Sequence, residues 1–420
     1  MYNSPSPPLN VRGGMGGVIF FMKFPKFLEQ LILTHIKTNY GAKGFKGPWT
    51  DKDLKYFIRG AAELSYAFTQ DKRSIPKNYL NHPVYRSGYL LYFLPANILK
   101  ISSILEQLPI DQWPDKTVRI LDVGSGPGTS MLGFMAFQEN MCTDRSRPVP
   151  TFEFTLIDQS ASILNEAKIF HDAYASYLKA KNPAYQSTCR TYAGDLRSAR
   201  TGRFLPREKF HFIVMSNFLN ECGERNQKVE AVLPLAENYL DENGFLLLVE
   251  PALRKTSRDL QYIRDELVVN RKLFHVYAPC LHDEICPLNQ INHRDWCHFY
   301  FSWDCPEFIE KADRLLGHKK EWLKASYLLL GRKPRLKKPH MHDWRVISNR
   351  IISRGKKELV LCGPKGRYHA RLLDKNVTSG NKNFDFVRRG DLIHLKVPSK
   401  AGFDIDGFFD LTKEDKIEKA

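Results

Sequence analysis

Apolar and polar positions follow three different patterns along this chain. Between residues 22 and 110 apolar side chains recur every three or four positions, which predicts helices, as at Phe27, Leu28, Leu31, Ile32 and Ile36. From Val118, short apolar strands alternate with helical stretches of about 10–15 residues, which predicts a parallel sheet covered on both faces. After residue 335 the short alternating runs and their glycines predict a small β-rich unit.

The patterns divide the chain into predicted segments. Strands expected at Trp296–Phe301 and Ser326–Gly331 complete the sheet, and Met22 is an alternative start to Met1. No stretch reaches the roughly 20 apolar residues of a membrane span, so no membrane contact is expected. The segments are a disordered tail at 1–21, a helical region at 22–110, a doubly wound α/β domain at 111–335 and a basic β-rich domain at 336–420.

A glycine-rich turn follows the first predicted strand and suggests a cofactor site. A strand that enters a helix through glycines presents backbone N–H groups to a ligand. Asp122 precedes the glycines; it would repel a phosphate but suits the ammonium of a methionine moiety. Asp158, which closes the next strand, is placed to accept hydrogen bonds from ribose hydroxyls, and Asp195 is placed to bind an adenine amino group.

This order of loop and acids is typical of class I methyltransferases, which have a Rossmann-like doubly wound sheet and bind S-adenosylmethionine. The alternative is a Rossmann-like domain that no longer binds a cofactor. The predicted cofactor-binding residues are Asp122, Gly124, Ser125, Gly126, Gly128, Thr129, Asp158, Gly194 and Asp195.

The residues after the fourth predicted strand are the candidates for the methyl end of the pocket. They read Ser-Asn-Phe-Leu-Asn-Glu at 216–221 and lack the Asn/Asp-Pro-Pro-aromatic motif of enzymes that methylate exocyclic amines. Methyl transfer depends mainly on alignment, so residue type alone assigns no catalytic role. The candidates are Asn217, Asn220 and Glu221.

A second group of residues suggests a metal site. Cys280, Cys286 and Cys297 lie in polar, proline-flanked sequence, where core packing gives no reason for a thiol. Cys305 and Cys362 are both candidates for a fourth ligand, and nearby histidines are further candidates. Thiolate sites serve zinc and iron–sulfur clusters alike, and the gaps here contain no CxxC pair, so iron–sulfur is preferred and zinc is the alternative. The remaining cysteines, Cys142, Cys189 and Cys222, are expected to be plain thiols.

Charge adds a prediction about partners. The net charge of +17 favours a polyanionic partner, since phosphate contacts supply most non-specific nucleic-acid affinity. Between Lys319 and Lys357 there are 13 Lys and Arg against two acids, with interleaved rings that fit an RNA-facing surface: Trp322, Tyr327, His340, His342 and Trp344. Eight cysteines without a secretory signal favour a reducing, cytoplasmic compartment.

These motifs together resemble the methyltransferase-like family associated with the small ribosomal subunit in bacteria and mitochondria. The similarity covers roughly residues 80–370 and rests on five segments: 121–129, 248–251, 278–287, 296–299 and 361–363. The resemblance implies a [4Fe–4S] cluster on four cysteines and action on small-subunit ribosomal RNA during assembly. It therefore implies the ligand set Cys280, Cys286, Cys297 and Cys362, and leaves Cys305 out.

The predicted function is an S-adenosylmethionine-binding, methyltransferase-like protein that acts on small-subunit rRNA and is monomeric when free. One alternative is a non-catalytic assembly factor with the same fold and partner. Another is a small-molecule methyltransferase with a structural zinc ion, which leaves the basic 319–357 stretch without a purpose.

Overall fold

A computed structural model describes residues 22–42, 47–69, 76, 78–108, 113, 116–141, 150–195, 205–291, 294–396 and 403–419. The predicted tail at 1–21 and Cys142 lie outside these residues. Within them the chain forms two sheets, a larger one at its centre and a smaller one towards its C-terminus.

The helices of the N-terminal part of the chain pack against one face of the larger sheet. Pro25 precedes the first helix with φ −59°, and its missing N–H costs nothing at a helix start. The third and fourth helices meet at Phe93 with a bend of 44°. Pro95 lies in the first turn of the fourth helix, where it cannot donate back to the third. These elements are β1 (Met22–Lys23), α1 (Lys26–Tyr40), α2 (Asp51–Thr69), α3 (Pro83–Tyr92) and α4 (Leu94–Leu105).

Strands and helices then alternate as predicted. They are β2 (Thr117–Val123), α5 (Thr129–Met141), β3 (Thr151–Asp158), α6 (Ala161–Lys181), β4 (Ser187–Ala193), β5 (Phe210–Ser216), α7 (Arg225–Tyr239), β6 (Leu240–Glu250), α8 (Arg254–Asp265), β7 (His275–Ala278), α9 (Pro287–Ile291), β8 (Phe299–Asp304), α10 (Glu307–Leu316) and β9 (Trp322–Gly331).

The strand order of the larger sheet is β4-β3-β2-β5-β6-β9-β8-β1, with β7 also beside β9. Strands β2 to β6 are parallel, and β9 is antiparallel to β6. A doubly wound parallel sheet whose late hairpin inserts one reversed strand is the class I methyltransferase fold. The predicted fold class is therefore confirmed. The core of the N-terminal helices is continuous with one face of this sheet, because helices and sheet bury their apolar side chains together.

Several details of the sheet differ from the sequence prediction. The strand expected at Ser326–Gly331 begins earlier, at Trp322. The strand expected at Trp296–Phe301 runs instead over Phe299–Asp304. The reason is that the indole of Trp296 donates to the carbonyl of Ala252, which ties this segment to the loop after β6. Strand β7 was not predicted, since four residues are too few to show a pattern.

The smaller sheet has its own apolar core around Trp344, which is fully buried. Gly366 closes the hairpin between Lys356–Gly363 and Gly366–Leu373 at φ +115°, where an added Cβ would lie 1.8 Å from the Asp404 carbonyl oxygen. Its strands are β10 (Asp343–Val346), β11 (Ile351–Ser353), β12 (Lys356–Gly363), β13 (Gly366–Leu373), β14 (Leu392–His394), β15 (Asp404–Leu411) and β16 (Glu418–Lys419).

Membrane-spanning length can be judged from the helices of the described residues. None of their helices has by itself the length and apolar character to cross a bilayer, and α3 and α4 meet that test only as a bent pair.

Candidate functional site

A large cavity, of about 740 Å³, lies beyond the carboxyl ends of β2, β3 and β5. Ligands of doubly wound sheets bind at this edge, because the loops there converge. Ten of the predicted cofactor and methyl-end residues line it: Gly124, Ser125, Gly126, Thr129, Asp158, Gly194, Asp195, Asn217, Asn220 and Glu221.

The glycine loop is held against the neighbouring strand. The N–H groups of Gly124 and Ser125 both donate to the carbonyl of Ile157, at 2.9 and 3.0 Å. Gly124 has φ +66°, and a Cβ there would lie 2.5 Å from the Phe218 ring. A side chain at position 124 would therefore strain the backbone and displace Phe218.

Asp158 is fixed by backbone donors at the cavity wall. Its two carboxylate oxygens accept from the N–H groups of Gly126 and Ser160, both at 3.0 Å, and the backbone N–H of Gln159 also donates to the carboxylate. Burial raises the pKa of this carboxyl, which these donors oppose. An ionised carboxylate accepts about four hydrogen bonds, so the group keeps capacity for vicinal hydroxyls.

Asp122 and Gly128 lie beneath the loop and are not in the cavity wall. Asp122 is 1% exposed and faces the start of α5, near Ser130 and Met131. Burial raises its pKa to about 7. The structure thus places Asp122 where it supports the loop from below, and its predicted contact with a methionine ammonium stays a prediction.

The loop after β5 is positioned by Glu250, at the end of β6. Glu250 is 2% exposed, and its carboxylate accepts from the N–H of Leu219 and the side-chain amide of Asn220, both at 2.9 Å. Burial raises its pKa to about 7. The Asn220 amide also donates to the carbonyl of Asn217, so it holds the loop together. In the sequence Glu250 was a motif residue without a role.

The opposite wall of the cavity was not predicted. It comes from the N-terminal helices and from the start of β9, which carry no recognisable motif. The wall includes Phe68, Tyr79, Tyr89, Phe93, Asn97, Lys100, Lys320, Trp322 and Lys324.

A second, smaller cavity of about 40 Å³ brings the predicted thiols together. Its wall includes Cys280, Cys286, Cys297 and His282, and the smaller sheet contributes Cys362 from β12. Cys305 is not in this wall; it packs against the core of the N-terminal helices. Of the two fourth-ligand candidates, the fold therefore brings Cys362 to the other thiols.

The sulfur atoms are near one another but are not closely clustered. In the described part of the chain, three or more potential ligand atoms come within 4.8 Å of one another at His340, Asp343 and His394, and not among the cysteines. Cys362 Sγ lies 3.5 Å from His282 Nε2. Burial raises the pKa of Cys286 to about 12, with Arg264 opposing the shift.

Buried arginines surround this cavity. Arg264 donates to the Asp265 carboxylate at 2.6 Å and to the carbonyl of His282 at 2.8 Å. Asp265 in turn accepts from the N–H of Cys286 at 3.0 Å. Arg335 donates to the carbonyls of Cys280 and Val276. Arg264 thus opposes the burial that raises the pKa of the thiols, without overcoming it.

The basic stretch at 319–357 is only partly a surface. Exposed cations include Lys319, Lys324, Lys333, Lys337, Lys338 and Arg354. Arg332, Arg335 and Arg345 donate instead to backbone carbonyls inside the protein. The prediction that Tyr327 and Trp344 face RNA is wrong: they are 2% and 0% exposed, because they lie on inward faces of β9 and β10.

Comparison with known proteins identifies the family. A model of the family described as mitochondrial small ribosomal subunit Rsm22 matches residues 85–393. The chain belongs to the Rsm22 family. Membership in a small-subunit-associated family, predicted from the motifs, is thereby confirmed. The match begins within α3 and ends within β14, so it includes the thiol cavity and most of the wall of the large cavity, whose residues Phe68 and Tyr79 precede it.

Solved structures show distant likenesses. A class I S-adenosylmethionine-dependent methyltransferase from Listeria monocytogenes is 11% identical, covering 75% of this chain and 90% of its own, with a TM-score of 0.37. Magnesium protoporphyrin IX methyltransferase from Synechocystis is 12% identical, covering 61% and 97%, with a TM-score of 0.34.

The sugar N-methyltransferase KedS8 from Streptoalloteichus is 14% identical, covering 37% of this chain and 47% of its own, with a TM-score of 0.22. The chain therefore spans about half the length of that enzyme. Such low scores carry no argument about function, and the fold assignment rests on the strand order. No curated protein matches the chain.

Proposed function

We propose that this Rsm22-family protein binds S-adenosylmethionine in the 740 Å³ cavity and acts on small-subunit rRNA during ribosome assembly or translation. We further propose that it carries a [4Fe–4S] cluster. The observation that carries the proposal is Asp158, fixed by the Gly126 N–H in the wall of the large cavity of a chain from this family.

The cavity residues suit the cofactor part by part. Asp158 would hold the ribose hydroxyls, Asp195 would accept from the adenine amino group, and the left-handed glycines at 124 and 126 allow close approach of the backbone. When bound, the cofactor supplies an activated methyl group. The protein would contribute orientation and exclusion of water, which are the main requirements of methyl transfer.

The thiol cavity suits a cluster better than a single ion. Zinc bonded to sulfur at about 2.3 Å would hold four thiolates about 3.8 Å apart. The cysteines do not form a group within 4.8 Å, whereas a cluster binds each thiolate through a different iron and needs wider spacing. Arg264 and Arg335 beside the thiols would offset the negative charge of such a site. Cys280, Cys286, Cys297 and Cys362 would be the ligands.

Ribosomal RNA suits the charge of the molecule. Lys319 and Lys324 lie in the wall of the large cavity and are exposed, and the net charge is +17. Cations at the cavity would draw a phosphate backbone towards the cofactor. Binding to the small subunit should therefore weaken steeply as salt is raised.

Methyl transfer from labelled S-adenosylmethionine tests this function. The anaerobically purified protein would be incubated with small subunits from cells that lack its gene. Label at one rRNA position establishes the enzyme and its substrate. Absence of label, with tight subunit binding, overturns the catalytic part.

A non-catalytic assembly factor is the second candidate. Its support is the loop after β5, where the Asn220 amide is engaged by Glu250 and the Asn217 carbonyl. An Asp158→Asn variant separates the two candidates: an enzyme loses rRNA modification, whereas a pure assembly factor keeps subunit binding and loses only cofactor affinity. A small-molecule methyltransferase with zinc would show neither subunit binding nor iron.

Two further predictions concern the free protein. Cytoplasmic location stays a prediction, and the family description names mitochondria instead, so fractionation of cells that express the tagged protein decides between them. A monomeric state also stays a prediction, and light scattering of the purified chain tests it.

A further inference from the structure

Two lysines lie in the wall of the large cavity without a role in the proposed cofactor site. Lys100, on α4, and Lys320, just before β9, both line it. The cavity, at about 740 Å³, is near the upper part of the range of about 300–1,000 Å³ for small-molecule sites. It therefore has room for an acceptor beside a cofactor.

Lys320 is held by the N-terminal helices. Its ammonium donates to the carbonyl of Tyr92 at 2.9 Å and lies 3.1 Å from the centre of the Tyr92 ring. Asp313 is nearby, but its carboxylate accepts from the Tyr92 hydroxyl and the Lys320 backbone N–H. Burial lowers the pKa of Lys320 well below its usual range, and Lys100 lowers it further. The two ammonium groups thus face a common space.

Lys100 is connected to the glycine loop by side chains. Its ammonium donates to the Asn97 side-chain oxygen at 2.9 Å, and the Asn97 amide lies 3.4 Å from the Tyr89 hydroxyl. Tyr89 in turn bonds the side chain of Thr129, at the start of α5. Burial lowers the pKa of Lys100 to about 8. The described residues provide no ion-pair partner for Lys100 or Lys320.

Lys100 and Lys320 are half-buried, and two neighbouring cations removed in part from water without a carboxylate partner are costly unless an anion completes the site. Aromatic rings stand beside them, at Tyr89, Phe93 and Trp322 in the same wall. Such rings stack on nucleobases. A cationic end and aromatic walls in one cavity match the two parts of a nucleotide.

We propose that Lys100 and Lys320 form a phosphate subsite, so that the molecule placed beside the cofactor is a nucleotide that carries its phosphate at this end. This inference rests on the proposed function and gives it a substrate class. The phosphate has two possible sources, a phosphodiester of RNA or a free nucleotide.

Calorimetric titration of the full chain, saturated with S-adenosylhomocysteine, tests the subsite. The probes are uridine 5′-monophosphate and uridine, which differ only in the phosphate. We expect the monophosphate to bind at least tenfold more tightly, as about 1.4 kcal/mol corresponds to a factor of ten. Lys100→Gln should remove most of that difference. Equal binding of the two probes, or a Lys100→Gln variant that keeps the difference, overturns the proposal.

Controls separate the subsite from general electrostatics and from misfolding. Lys333→Gln removes an exposed charge outside the cavity wall and should leave the tenfold ratio unchanged; an equal loss in this variant overturns the proposal. Lys320→Gln is a second test and should also remove most of the difference. If the Lys320→Gln protein does not fold, Lys100→Gln decides the outcome. Competition by a short single-stranded RNA supports the phosphodiester source, and its absence supports a free nucleotide.

S-adenosylhomocysteine binding distinguishes failure of this inference from failure of the proposed function. If S-adenosylhomocysteine binds and the phosphate of the nucleotide has no effect on affinity, only the phosphate-subsite proposal is wrong. If it does not bind the intact protein, the cofactor proposal fails first.

Discussion

The two cavities share one strand but have opposite characters. Residues 322–324, at the start of β9, line the large cavity, and residues 326–328 of the same strand line the thiol cavity. The first cavity is about 740 Å³ and has mixed polar and aromatic walls; the second is about 40 Å³ and is lined with thiols and arginines.

The large cavity suits an exchangeable ligand, whereas the thiol cavity suits a permanently bound group. The large cavity is built from loops at one edge of the larger sheet, so a cofactor can enter and leave. The thiol cavity needs both sheets, since Cys362 comes from β12 while the other cysteines follow α8. A group bound there would join the two sheets, and its loss should reach the large cavity through β9.

Breaking the thiol site should have the largest effect. In Cys286→Ser we expect loss of nearly all of the about four irons of a [4Fe–4S] cluster, since each thiolate holds one iron. Metal binding contributes directly to folding, so limited proteolysis should cut between the sheets and rRNA affinity should fall. Iron analysis and proteolysis of anaerobically prepared protein measure both effects.

Cys305→Ser is the matched control for this change. Because Cys305 lies outside the thiol cavity, the Cys305→Ser protein should keep its iron. A Cys286→Ser protein with normal iron, fold and rRNA affinity would contradict the cluster proposal.

Asp158→Asn should have the next largest effect, confined to the large cavity. It removes a charged acceptor for two hydroxyls, and hydrogen bonds to charged groups are worth about 1.5–3 kcal/mol each. We expect S-adenosylhomocysteine to bind about 10- to 100-fold more weakly, with iron content unchanged. Asp374→Asn, at an exposed position in the turn after β13, is the control. Equal affinities of the two variants would remove Asp158 from the site.

Gly124→Ala should weaken the cofactor by about tenfold. A residue with a Cβ pays about 1–2 kcal/mol in the left-handed conformation, and here it must also displace Phe218. Gly355→Ala has the same strain at φ +75° with open space around it. It should lower stability by about 1 kcal/mol and leave cofactor binding unchanged. Calorimetry and chemical unfolding compare the pair; identical binding would show that the loop tolerates a side chain.

The smallest expected effect is on the pH dependence of the free energy of unfolding, through Glu250, which positions the loop after β5. Burial raises the pKa of Glu250 from 4.5 to about 7, so between these values the folded protein binds more protons than the unfolded chain. The free energy of unfolding should therefore fall as pH rises, by about 1 kcal/mol from about pH 6 to about pH 8.

Glu250→Gln should flatten only part of this slope, because Asp122 titrates in the same direction. Urea unfolding at both pH values measures the difference. An unchanged slope in Glu250→Gln would mean that the carboxyl is not the titrating group.

The position of Asp158 beside the glycine turn was predictable because the fold places consecutive strand ends at one edge of the sheet. Asp122 was less predictable: it ends a strand with its side chain beneath the loop, and the sequence does not show which face of the turn is open. Lys100 carried no signal, since a single lysine on a helix usually faces water, and Lys320 was one cation among many in the basic stretch at 319–357.

Cys305 and Cys362 show the same limit. Spacing alone left both as candidates, and resemblance to a family selected Cys362. In the structure β12 brings Cys362 to the other thiols, while Cys305 packs into a different core.

The sequence by itself determined the order of helices and strands, the glycine turn at 124–128 and the acids at the strand ends. These depend on local backbone sterics and on periodic burial, which neighbouring residues specify. Only the tertiary structure decided which distant side chains share a cavity: Lys100 with Lys320, and Cys362 with Cys280. Those meetings depend on how whole elements pack, and packing is set by the summed burial of the core rather than by any short stretch of chain.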